Sequence, residues 1–113
     1  MAVIVNHSPQ RPEEVWQVAR WAFASLLRQA IAECEQDFEV RSIFERAIAL
    51  DGLHLHLLTP DEAFKVRTIL TSVASRAARG QLPDVEVAGR VLDVPSQIQF
   101  RTAAAELEAL LSV

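Results

Sequence analysis

The chain has 113 residues, half of them hydrophobic and 23% charged, with a formal net charge of −4. That length suffices for one domain, residues 1–113, with a core of its own and no need of disulfides or a structural metal. The acid excess disfavours nucleic acid and anionic membranes as general partners, while the single cysteine, Cys34, excludes an intramolecular disulfide and suits a reducing, cytoplasmic setting.

In chain order, residues 2–5 (AVIV) are β-branched and read as a short strand or an arm, ended by the two prolines of NHSPQRP. Pro12 then stands where a first helical residue is tolerated, followed by Glu13 and Glu14, so a helix is expected over about residues 12–34. Its core face would carry Val15, Trp16, Val18, Ala19, Ala22, Phe23, Leu26 and Ala30. The most apolar long segment, residues 15–32, includes Gln17, Arg20, Arg28 and Gln29, which are costly in a bilayer. Neither secretion nor a membrane span is expected.

Asp37 is a good N-cap for a second helix over residues 38–50, with Val40, Ile43, Phe44, Ala47 and Ile48 at helical spacing. No glycine or proline separates residue 13 from residue 51, so one long bent helix is the alternative. The alternation of LHLHL over residues 53–57 reads as a strand, leucines on one side and histidines on the other. In TPDE, Thr59 caps, Pro60 takes the first helical position and Glu62 closes a capping box. That helix should run to Arg79 and stop at Gly80, with Val66, Ile69, Leu70, Val73 and Ala77 inward. VEVAGRVLDV reads as a tight hairpin or as one strand bulged at Gly89, and Ser96 with Gln99 repeats the capping box before a last helix. The pattern predicts a helix-dominated α+β domain of four helices and a small short-stranded sheet, with a nearly all-α bundle as the alternative.

Three groups of side chains invite a functional reading. His54 and His56, two apart on one strand face, could both approach a zinc ion or another divalent transition metal. Two ligands fall short of the three or four that zinc takes from a protein, and His7, Cys34, Asp51 and Asp61 are the candidate completions. The plainer reading leaves both imidazoles on a solvated or helix-covered face; a pH-sensitive contact is a third. Trp21 lies opposite the expected core face, beside Gln17, Arg20, Ala24 and Arg28, and an exposed tryptophan between arginines suits a protein interface. A later helix covering that side would instead bury it. Lys65, Thr68, Ser72, Arg76 and Arg79 form a polar stripe, with Arg90 and Arg101 near it, suited to an anion or acidic partner or simply to solvent.

Glycine-rich phosphate loops, zinc-protease helices and CxxC pairs are all missing from the sequence, and Cys34 falls near an apolar helix face. The expectation is a non-enzymatic, cofactor-free protein that works by protein–protein contact, as a homodimer and as a small regulator or inhibitor. The alternative is a metal-binding protein or metal-dependent enzyme built on His54 and His56.

Overall fold

The computed structural model describes residues 2–8, 11–82, 86–87, 90–91 and 93–111. It is a helix-dominated α+β structure and not an all-α bundle. Strands β1 (Ala2–Ser8) and β2 (Arg11–Val18) lead into helices α1 (Arg20–Glu33) and α2 (Phe38–Leu50), then β3 (Gly52–His54). A 3-10 turn (Leu55–Leu57) precedes α3 (Pro60–Ala78), followed by β4 (Glu86–Val87), β5 (Arg90–Val91) and α4 (Val94–Leu111).

The first helix begins eight residues later than the sequence suggests, because residues 11–18 are a strand. β2 pairs antiparallel with β1, Ala2 opposite Val18 and Val5 opposite Val15, with an irregularity between Asn6 and Ser8. Trp16 and Val18 are buried while Val15 and Gln17 are exposed, a two-residue period that a helical wheel had absorbed as one broad face. Pro12 is tolerated because β2 is an edge strand and the proline lies beside the irregular stretch. The start of α1 carries little signal: its cap, Ala19, offers no side-chain acceptor and the first turn has no acid.

The three strands run in the order β2-β1-β3, with β3 parallel to β1 and Leu53 opposite Ile4. One sheet face, carrying Ala2, Ile4, Trp16, Val18 and Leu53, is buried in a cluster with Phe23, Leu26, Leu27, Phe44, Leu70, Phe100 and Leu107 from the four helices. The Trp16 indole donates its Nε1–H to the Ala103 carbonyl at 2.9 Å and so fastens α4 to β2.

The break after α1 and the Asp37 cap of α2 are as the sequence indicates, Asp37 accepting the Val40 N–H at 3.2 Å. The Thr59–Glu62 capping box is complete, with both reciprocal hydrogen bonds made. Residues 86–87 pair antiparallel with residues 90–91, Glu86 opposite Val91, in place of the single bulged strand; Gly89 itself lies outside the described residues. The last helix is capped by Asp93, which accepts the Ser96 N–H at 2.9 Å, and not by Ser96. Proline at the second helical position lacks only an N–H that the helix start leaves unused, so the helix extends back past Pro95 to Val94.

Candidate functional site

The histidines sit where strand gives way to turn. β3 ends at His54, and Leu55–Leu57 turn as a 3-10 helix, so the strand expected over residues 53–57 covers only its first two. The alternation survives as far as His56: Leu53 and Leu55 are buried, His54 and His56 exposed. Their rings are 5.7 Å apart between centroids and nearly perpendicular, both on the protein surface. Among the candidate completions, Asp51 pairs with Arg20 at 2.8 Å, Cys34 is buried at the end of α1, and Asp61 is exposed in the first turn of α3. The His7 side chain lies outside the described ones. Among the described residues no group of three or more His, Cys, Asp or Glu side chains could hold a metal ion.

Beside His54 opens an apolar groove of about 190 Å³ between α2 and the segment after it, lined by Ile43, Ala47, Leu50, Leu53, Leu57 and Leu58, with Arg46 on its rim. Leu50 is 72% exposed and Leu57 74% exposed, so each keeps most of an apolar side chain in water. Leu50 occupies the last position of α2, and the 3-10 turn carries Leu57 out of register with the buried leucines. Leu57, expected inward as the third leucine of the alternating strand, is thus turned outward, and Leu50 had been given no role.

The four interface candidates do not share one helix face. Gln17 is on β2, whereas Arg20, Trp21 and Arg28 are on α1. Trp21 is half-buried, packed on the core and stacked with Phe100 at 6.2 Å, so α4 covers the side expected to be bare. Arg20, Trp21 and Arg28 do border one shallow pocket of about 340 Å³, with Ile48 and Asp51 of the α2 end on its other side. Gln17 and Trp21 border another, toward α4.

The basic stripe is partly neutralised by the end of α1 and the link that follows it. Lys65 pairs with Asp37 at 3.8 Å and Arg76 pairs with Glu33, which ties α3 across that link. Arg79 is exposed at the end of α3, and the Arg101 guanidinium lies against Gly80. The Arg90 side chain lies outside the described ones. Burial pushes the Cys34 thiol above its ordinary pKa, reinforced by Asp37, which keeps it protonated and unreactive at neutral pH. The charged groups acting on Cys34 are Asp37, Arg41 and Glu45.

No helix among the described residues is long and apolar enough to cross a membrane. Comparisons with protein-family models, with curated proteins and with solved structures return no match. Function has to be read from the surface.

Proposed function

We propose that this is a non-enzymatic protein that acts by protein–protein contact, as a homodimer formed through the groove between α2 and the turn after β3, in the manner of a small regulator or inhibitor. The observation that carries the reading is the pair of bare leucines, Leu50 and Leu57, facing one apolar groove. Large side chains exposed to this extent and grouped around a concavity are what an interface buries. An isologous contact would bury each leucine twice, once per copy. Full burial is worth roughly 1.5–3 kcal/mol per leucine. Four leucines therefore come close to the estimated ~4–15 kcal/mol that association costs in lost freedom, and the rest of the groove contributes to a contact of moderate strength.

The test is sedimentation of the purified, tag-free chain over a range of concentrations, beside Leu50→Glu and Leu57→Glu. The expected result is a wild-type dimer and two monomeric variants with unchanged circular dichroism. A wild type that stays monomeric at every concentration rules the reading out, as does a dimer that both glutamates leave intact.

A further inference from the structure

We propose that the pocket between α1 and the end of α2 binds a phosphate group, gripped by the guanidinium groups of Arg20 and Arg28. The pocket, of about 340 Å³, shares no lining residue with the groove of Leu50 and Leu57, so it stands apart from the contact proposed above. Its volume falls at the lower end of the range that takes small molecules.

One stripe of α1 forms its wall. Arg20, Trp21, Ala24, Ser25 and Arg28 follow one another at helical spacing, and Ile48 and Asp51 face them from the end of α2. The two arginines are eight residues apart, about 12 Å along the axis, a gap that two long side chains close when both reach for one anion. Arg20 is already oriented, because its Nε pairs with the Asp51 carboxylate at 2.8 Å. Asp51 is itself fixed, with a left-handed backbone (φ 55°) and the Val3 N–H on its carbonyl. That pair leaves other donors of the five-donor guanidinium fork unspent. Arg28 is exposed and belongs to none of the ion pairs among the described residues, so its whole fork is available.

Two arginines against one aspartate leave the wall with an excess of positive charge, in a chain whose net charge is −4. The Ser25 hydroxyl donates to the Trp21 carbonyl at 2.7 Å, so recognition falls to the arginines. A phosphate monoester presents three strong acceptor oxygens and close to two negative charges, enough to engage both forks, whereas the two oxygens of a carboxylate are matched by one. Trp21, Ala24 and Ile48 offer apolar surface to an organic group carried by the phosphate. The acid excess of the whole chain opposes a polyanion, so the ligand that fits is small.

The experiment is an amide NMR titration of the full chain with phenyl phosphate and, separately, with inorganic phosphate, each against sodium chloride of matched ionic strength. The expected result is a saturable shift of the Trp21 indole N–H and of the amides from Ala24 to Arg28, which chloride does not reproduce. Tighter binding of the ester identifies a phosphorylated organic molecule as the ligand; equal affinity identifies free phosphate. Arg28→Ala should weaken either probe at least about tenfold with circular dichroism unchanged. Arg28→Lys, which keeps the charge and loses the fork, should recover only part of that loss. Asp51→Asn still accepts a hydrogen bond from Arg20 and tolerates the left-handed backbone, so it should tighten binding several-fold by removing the one negative charge. Arg79→Ala, on the exposed end of α3, should bind as wild type does. Shifts no greater than those in chloride overturn the proposal, as does an affinity that Arg28→Ala leaves intact or that Arg79→Ala reduces equally, which would mark diffuse attraction to surface cations.

Discussion

At the scale of single residues, backbone conformation separates two glycines that look alike in sequence. Gly80 ends α3 with φ +69°, in the left-handed region, and a Cβ there would meet the Arg101 guanidinium at 2.9 Å. The guanidinium can swing away, but the backbone strain cannot be relieved, so Gly80→Ala should cost about 1 kcal/mol. Gly52 has no positive φ and its nearest neighbours would be 3.6 Å from a new Cβ, so Gly52→Ala should be neutral or stabilising by a few tenths of a kcal/mol. Urea denaturation of the two variants tests the contrast; equal losses would show that the helix end does not adopt this geometry. Gly80 was legible as a stop signal because few other residues take that conformation cheaply. Asp51 takes it as well, φ 55°, and gave no such signal, since its side chain is held by Arg20 and its backbone carbonyl by the Val3 N–H.

At the scale of elements, the boundaries that could be read were those written in local chemistry. The Thr59 hydroxyl accepts the Glu62 N–H at 3.2 Å and the Glu62 carboxylate accepts the Thr59 N–H at 3.0 Å. Thr59→Ala should therefore cost about 1 kcal/mol of stability. The Thr59 backbone N–H holds the Glu62 carboxyl below the usual carboxylate range. A depressed folded-state pKa gives stability that is present above the unfolded value, about 4.3, and is lost as pH falls through the folded one. Glu62→Gln keeps an acceptor but removes the charge, so its deficit relative to wild type should be visible at pH 7 and vanish in acid. Thermal unfolding of both proteins from neutral to acid pH checks the sign; a deficit that grows on acidification would contradict it. Asp93 belongs to the same class, its carboxyl lowered by hydrogen bonds from the Ser96 hydroxyl and backbone N–H. It was overlooked because Ser96 and Gln99 imitate a capping box one turn later, and only the observed helix start separates the two.

At the scale of the whole molecule, the fold depends on joining the two ends of the chain. The Trp16 indole on β2 and the Ala103 carbonyl on α4 are 87 residues apart and share a part-buried hydrogen bond. Trp16→Phe keeps an aromatic ring but removes that hydrogen bond, the Ala103 carbonyl keeping its helical partner inside α4, which should cost about 0.5–1.5 kcal/mol. Amide hydrogen exchange in that variant should rise in α4 before it rises in α2, which is stitched elsewhere; a uniform rise would mean that the sheet and α4 open together. The same docking explains Trp21. Once α4 lies along β2, Phe100 reaches the Trp21 ring, and the face that the α1 wheel left bare is half covered. Apolar surface remains bare elsewhere, at Phe38 and Phe64 as well as at Leu50 and Leu57, and the last two share the groove through which the contact is proposed.

Local signals in the sequence determined the α+β class, the Asp37 and Thr59 helix starts, the Gly80 stop and the inward Leu53 and Leu55, because a cap, a left-handed turn or a short alternation is settled by residues within a few positions of each other. Tertiary structure alone decided that residues 11–18 are a strand, since Trp16 and Val18 satisfy a helical and an extended period equally well and pairing with β1 breaks the tie. It also decided how much of Trp21 remains in water. That depends on where α4 comes to rest, a contact between distant parts of the chain that leaves no local mark.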